Sequence, residues 1–269
     1  MTKVRRVERV VALSKMLMDK PGYLFSLGHF STIFSAAKST LSEDMVTIKQ
    51  AIEQFGLGTV ETVSGAAGGI RYMPCYSEAR INTLLTELAA RFSEPERIIP
   101  GGFLYMTDVL FMPDLMVQVG EIFRTRFAHL APDYIMTVET KGIPLAFTTA
   151  RAFGLPLVIV RQGGKVTEGP SVSINYVTGS SKRIQTMSLP RRALASGSKV
   201  LVIDDFMKAG GTARGMIDLA SEVGAEVVGT GVLIATNEPE KKLVDEYSSL
   251  LMLHDVDQHT KTIDIRPVF

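Results

Sequence analysis

The sequence predicts an α/β protein in two parts: three helices and a β-ribbon over residues 1–75, then a mostly parallel sheet flanked by helices over residues 76–269. Three observations carry this. Beyond residue 100, apolar runs of strand length alternate with amphipathic segments of helix length, the pattern of a parallel sheet. One such run, residues 199–203, ends on two adjacent carboxylates and passes through a glycine turn into a helical segment. Before residue 75, helical periodicity gives way to two short β-rich runs around a small, glycine-rich tip.

Composition sets the bounds. With 46% hydrophobic and 21% charged residues, the chain can bury a real core and carries no disordered tail. A single cysteine, Cys75, excludes an internal disulfide framework and fits a reducing compartment, so the cytoplasm is expected. The charged start runs into an amphipathic pattern rather than an unbroken apolar one, which argues against a signal peptide and against a membrane partner. Net charge is +1, but residues 1–75 hold nine Lys/Arg against six Asp/Glu, and the remainder 20 against 22. That sign suits a front end that meets a polyanion.

In the first part, Val10, Leu13 and Leu17 mark one face of a helix over residues 5–20, closed by Pro21-Gly22. Residues 26–34 allow a second, shorter helix. Leu41, Met45, Ile48, Ile52 and Phe55 set a third over residues 40–55, with Gly56 as its left-handed cap. Residues 59–63 and 70–73 read as a hairpin. Three helices and a ribbon describe a winged helix-turn-helix domain, whose third helix enters the major groove of double-stranded DNA. An α+β cap with no nucleic-acid partner fits the same pattern. For DNA the candidates are Lys38, Ser39, Thr40, Ser42 and Lys49 on the third helix, with Arg5, Arg6 and Arg71 on the backbone. Glu43 and Asp44 count against it, since in the helix's first turn they favour the dipole but repel phosphates.

Residues 77–92 form a connecting helix. Strands are then expected at residues 103–107, 134–138, 157–161, 199–203 and 227–234, with helices at 112–128, 143–153, 212–223 and 239–248. Two further strands, 250–254 and 262–265, end the chain. Residues 171–177 and 183–189 alternate like a β-ribbon around Thr178-Gly179-Ser180-Ser181. Ligands of such sheets bind at the carboxyl ends of the strands.

At one such end lies Asp204-Asp205-Phe206-Met207-Lys208-Ala209-Gly210-Gly211-Thr212. A glycine turn opening a helix gathers backbone N–H groups at the helix's positive end, which suits a phosphate. Two adjacent carboxylates accept hydrogen bonds only, and suit a pair of neighbouring hydroxyls. A phosphate beside a diol is a ribose 5-phosphate. A second strand end, Glu139-Thr140-Lys141-Gly142, places a cation and a glycine for another anion. A plain αβ turn capped by its aspartates is the plainer reading; no G-x-G-x-x-G supports a dinucleotide fold.

These motifs resemble the signature of the type I phosphoribosyltransferases. The resemblance implies that Asp204 and Asp205 hold the ribose of phosphoribosyl pyrophosphate and that Lys208 to Thr212 hold its 5-phosphate. Thr140, Lys141 and Gly142 would receive the diphosphate, with Mg²⁺ on it. Over nearly the whole chain, Ser42-Glu43-Asp44, Pro95-Glu96-Arg97, Pro100-Gly101-Gly102, Thr167-Glu168-Gly169 and Ser173-Ile174-Asn175-Tyr176 resemble the purine operon repressors of Gram-positive bacteria. That resemblance implies a dimeric DNA-binding repressor of purine genes, not an enzyme, whose phosphoribosyltransferase-like domain senses phosphoribosyl pyrophosphate. It also suggests Tyr105 as a ligand contact, and Lys165, Tyr176, Lys182 and Arg183 as contacts from the ribbon. The alternative is an active purine phosphoribosyltransferase with an N-terminal extension.

Overall fold

Apolar residues at every third or fourth position wind the start of the chain into helix α1 (Arg6–Asp19), which buries Leu13 and Leu17 together with Arg9. Helix α2 (Leu27–Phe34) begins where the Ser26 hydroxyl accepts from the N–H of His29 at 3.1 Å. Helix α3 (Lys38–Gln54) turns Leu41, Met45, Ile48 and Ile52 inward. It ends in a Schellman motif: Gly56 has φ 62°, its N–H reaches Glu53 O at 3.2 Å, and Leu57 N–H reaches Ile52 O at 2.9 Å. Strands β1 (Thr59–Val63) and β2 (Gly69–Met73) pair antiparallel, and a bridge from Phe25 to Ile70 adds a third short run that the residue pattern does not announce. These elements close over one core of Leu13, Leu17, Phe30, Leu41, Ile48 and their neighbours.

The computed structural model describes residues 4–65, 68–163, 169–177 and 184–269. The chain divides into two units, Met1–Ser77 with Arg151–Leu155, and Glu78–Ala150 with Pro156–Phe269. Among the described residues no helix is long and apolar enough to cross a membrane.

The larger unit begins with helix α4 (Glu78–Phe92), a hairpin of β3 (Ile98–Ile99) and β4 (Phe103–Leu104), and helices α5 (Thr107–Leu110) and α6 (Pro113–Phe127). Then come β5 (Tyr134–Val138), α7 (Ile143–Phe153), β6 (Leu157–Gln162), β7 (Ser171–Val177), β8 (Ile184–Pro190), β9 (Lys199–Met207), α8 (Gly211–Glu222), β10 (Glu226–Thr236), β11 (Ser248–Asp257) and β12 (Thr262–Pro267). The sheet runs β12-β11-β10-β9-β5-β6-β8-β7. Strands β11, β10, β9, β5 and β6 are parallel; β12, β8 and β7 are antiparallel additions at its two edges. Helix α8 covers one face through Met216, Leu219 and Ala220, which pack on Met136, Val200 and Val202.

Four expectations need correction. The acidic pair does not end a strand: β9 continues to Met207, because Asp204 and Phe206 keep their register with Val232 and Ile234 of β10. Residues 103–107 form only a two-residue strand, because Arg97 turns the chain: Tyr105 N–H bonds Arg97 O at 2.8 Å, Arg97 Nη1 bonds Asp108 Oδ1 at 2.8 Å, and α5 starts at Thr107. Residues 239–248 are no helix despite their helix-favouring composition. Leu243 N–H is taken by Ala209 O at 2.9 Å and Lys242 Nζ by Thr236 O at 2.7 Å, so tertiary bonds outweigh local propensity. Finally, α3 starts at Lys38, which moves Glu43 and Asp44 out of its first turn and turns Asp44 inward, 1% exposed.

Candidate functional site

Two loops at the carboxyl ends of β5 and β9 meet at the acidic pair. Gly142 is the joint: a Cβ there would lie 2.6 Å from Thr137 Oγ1 and 3.2 Å from Asp204 Oδ1, so only glycine lets the second loop approach the first. Glu139, at the root of that loop, accepts from Gln162 N–H at 2.6 Å and pairs with Arg161 at 3.1 Å, which fastens the loop to β6. On the other side Gly210 has φ 80° and opens α8, whose first-turn N–H groups have no carbonyl below them. A cavity of about 690 Å³ is lined by Lys141, by Asp204 to Ala213, and by the β3–β4 hairpin.

The electrostatics of this cavity are unusual. Asp204 is 5% exposed, and its Oδ1 accepts from the N–H of Asp205 at 3.0 Å. Burial, and then the neighbouring Asp205 charge, push the Asp204 carboxyl well above the usual carboxylate range. Burial also raises Asp205, against the pull of the Lys141 charge. Among the described residues no arginine pairs with either acid. Beside the Asp205 N–H that already bonds Asp204, neighbouring hydroxyls would supply further hydrogen-bond donors.

Most of the effector residues read from the sequence come together here. Asp204, Asp205, Phe206, Met207, Lys208, Ala209, Gly210, Gly211, Thr212 and Lys141 all line the cavity. Gly142 lies against its floor, whereas Thr140 is exposed and outside the lining. Tyr105 is also outside. It is 43% exposed and fixed by backbone bonds to Arg97, while Leu104 and Met106 beside it face the cavity. Of the ribbon residues, Tyr176 is buried, and Lys165, Lys182 and Arg183 lie outside the described residues. Sequence reasoning missed Phe103, Gln185, Thr236 and Leu253. Only the hairpin had a signal: Gly101 and Gly102 have φ 92° and 72°, a turn that two glycines can make.

In the smaller unit, Ser39, Ser42 and Lys49 stand exposed on α3, Lys38 is exposed at its first position, and Thr40 is half-buried. Lys49 lies 3.8 Å from Glu53, and Arg71 on the ribbon pairs with Glu61 at 2.7 Å. Arg5 is exposed and its N–H bonds Glu8 Oε2 at 3.0 Å. Arg6 reaches α3: its Nε meets Asp44 Oδ1 at 3.2 Å and its Nη2 meets Thr47 Oγ1 at 3.0 Å. Arg9 Nε meets the other Asp44 oxygen at 2.5 Å. Asp44 is thus neutralised inside the fold, and of the two acids only Glu43 remains on the surface.

Fold and site together define a winged-helix unit joined to a type I phosphoribosyltransferase-like unit. Residues 5–74 match the family model described as "Bacterial purine repressor, N-terminal", and residues 112–262 match the "Phosphoribosyl transferase domain". The chain belongs to the PurR family of bacterial purine biosynthesis regulators. It is 49% identical over 264 residues to the purine biosynthesis transcriptional repressor PurR of Bacillus subtilis, covering 98% of this chain and 93% of that protein. It is 37% identical over 263 residues to the purine biosynthesis transcriptional activator PurR of Lactococcus lactis, covering 98% and 97%. Among solved structures it is similar to the adenine phosphoribosyltransferase of Rhodothermus marinus, with a TM-score of 0.53 and 26% identity over 64% of this chain and 99% of that one.

Proposed function

We propose that the protein acts in the cytoplasm as a homodimer that binds control regions of purine biosynthesis genes and represses them. Phosphoribosyl pyrophosphate enters the cavity as effector and lowers operator affinity. One observation carries the effector reading: a buried and a half-buried carboxylate, a helix start rich in N–H groups and Lys141 line a single cavity. The diol would satisfy Asp204 and Asp205, the 5-phosphate would sit on the backbone of residues 208–212, and the diphosphate would lie by Lys141. The donor set also fits Mg²⁺, a hard cation that takes one or two carboxylates together with phosphate oxygens and neutralises a diphosphate. Among the described residues no three His, Cys, Asp or Glu side chains converge, so the ligand's own oxygens would complete the shell.

Sensing is favoured over transfer by what is left of the wall. Apart from the groups assigned above, it is Ile99, Phe103, Leu104, Met106 and Leu253 with Gln185 and Thr236. The last two are engaged, Gln185 with the Tyr176 hydroxyl at 2.8 Å and Thr236 with Glu238 O at 2.6 Å. Among the described residues that leaves a mostly apolar wall, with the Gln185 side-chain nitrogen as its one unassigned polar group, which is little to hold and orient an attacking purine. Repression rather than activation follows the more similar of the two named relatives.

A ligand shifts DNA affinity only by binding the two states differently, and the linkage is reciprocal. Gel-shift titrations on the organism's own purine promoters test it. Wild type should lose operator affinity as phosphoribosyl pyrophosphate rises. The double variant Asp204→Ala, Asp205→Ala should bind the ligand at least about tenfold more weakly, each charged hydrogen bond contributing roughly 1.5–3 kcal/mol, and should stay on the operator. Equal responses of the two proteins would sink the sensor reading, and nucleotide formed from a purine in proportion to protein would move the chain to the enzymes.

A further inference from the structure

Thr137 carries a buried hydroxyl that the fold does not use. It stands one residue before the end of β5, on the face opposite Met136 and Val138, which belong to the core under α8. It is 0% exposed, and among the described residues its Oγ1 has no hydrogen-bond partner. Thr149 of α7 is equally buried, yet bonds Leu145 O at 2.9 Å. A buried hydroxyl left alone costs stability and gives the core nothing that a methyl group would not. Its place is what sets Thr137 apart. The point beside Gly142 Cα where a side chain would begin lies 2.6 Å from Thr137 Oγ1, 3.2 Å from Asp204 Oδ1 and 3.6 Å from Asp205 Oδ1. Two of these are carboxylate oxygens; the third is a hydroxyl, which can donate. Gly142 follows Lys141 in the chain, so an idle donor, the acidic pair and the end of the Lys141 loop share one niche.

We infer that Thr137 is a positioning residue that makes the site selective for the diphosphate end of its ligand: when an anion on Lys141 draws Gly142 from the niche, the Thr137 hydroxyl closes on Asp204 Oδ1 and supports its charge. The inference rests on the effector reading above. It lets the acidic pair, which meets the ribose, respond to the loop that meets the diphosphate. A sugar phosphate without a diphosphate leaves Gly142 in place and gains nothing from Thr137.

The test is calorimetry on the full chain with phosphoribosyl pyrophosphate and with ribose 5-phosphate, the weaker ligand read by displacement, beside thermal melts without ligand. Thr137→Val exchanges the hydroxyl for a methyl group of the same shape. It should melt no lower than wild type and should weaken phosphoribosyl pyrophosphate by about five- to tenfold, the scale of one net hydrogen bond, while ribose 5-phosphate stays within about twofold. Thr137→Ser keeps the hydroxyl and should keep the wild-type ratio between the two affinities. A lower melt for Thr137→Val would show that the hydroxyl already has a partner in the ligand-free fold. Equal losses for both ligands, or none, would show that it does not respond to the diphosphate, and a Thr137→Ser ratio like that of Thr137→Val would assign the effect to shape. Each of these overturns the inference while the effector reading stands. Failure of the wild type to bind phosphoribosyl pyrophosphate would instead overturn that reading, and this inference with it.

Discussion

Each unit buries an aspartate, and the two are treated in opposite ways. Asp44 in the winged helix is 1% exposed and meets two guanidinium groups, from Arg6 and Arg9, with Thr47 sharing Arg6. Asp204 in the sheet is 5% exposed, and its nearest charged neighbour is another carboxylate. A buried charge that finds its counter-charge within the fold holds elements together. One left facing a like charge in a cavity is an unfilled valence, tolerable to the fold only because its pKa can rise. The difference separates a carboxylate whose charge is met within the fold from one whose charge is turned to a cavity, although both are aspartates beside another acid in the sequence.

Removing Asp44 should have the larger effect. Asp44→Ala leaves Arg9, itself 7% exposed, buried without its partner, and truncating one side of a buried ion pair costs about 3–5 kcal/mol. The expected outcome is early melting of the winged-helix unit and loss of operator binding, with affinity for phosphoribosyl pyrophosphate kept in the larger unit. Chemical denaturation followed alongside ligand calorimetry checks it. A variant as stable as wild type would mean that Arg9 finds water or another acceptor, and the contrast between the two aspartates would lose one side.

How far the sequence could show this contrast depends on the range of the forces. Strands β5 and β7 begin and end where their residues predict, because an apolar run at 134–138 and strict alternation at 171–177 are local facts. The cavity-lining stretch from Asp204 to Thr212 was legible for the same reason, as glycines, acids and a lysine at fixed offsets. Asp44 was not: beside Glu43 it looks like any acid near a helix start, and only the 35-residue reach from Arg9 turns it inward. Residues 239–248 read as a helix because their partners, Ala209 and Thr236, are remote or belong to an earlier strand. The small cavity wall of Gln185, Thr236 and Leu253 had no signal either, since each is an ordinary strand residue until the sheet order brings β8, β10 and β11 to one end.

A smaller effect, of opposite sign, is expected at Asp204. The folded-state pKa is raised by burial and by Asp205 above the ordinary 3.8, so this group favours the ligand-free fold fully below that value and withdraws its contribution as pH rises through the raised one. At neutral pH the wild type therefore carries a penalty that Asp204→Asn removes. The variant should melt higher without ligand, on the order of 2–4 °C for each kcal/mol recovered, and the advantage should shrink on acidification towards pH 4. Thermal scans at several pH values measure it. A variant less stable than wild type across the whole range would show that Asp204 is held by fold interactions as Asp44 is.

The smallest effects belong to cations that stand on the surface. Lys38 and Lys49 both lie on α3 and both were read as DNA contacts, but Lys49 shares its charge with Glu53 at 3.8 Å, while Lys38 is exposed at the helix's first position. A recognition helix meets DNA with its N-terminal residues, which favours Lys38. Exposed side chains outside the core change stability by no more than about 0.5 kcal/mol, so neither Lys38→Ala nor Lys49→Ala should alter the melt. In DNA binding they should part. Losing one phosphate contact at Lys38 lowers the slope of log affinity against log salt by about 1 and weakens operator and random DNA alike. Lys49→Ala also frees the Glu53 carboxylate, so its effect at low salt combines a lost cation with an exposed anion, and 0.2 M salt screens much of both. Binding isotherms over a salt series would show which lysine carries a phosphate: an unchanged slope for Lys38→Ala, with a reduced one for Lys49→Ala, would move the contact surface from the start of α3 to its middle.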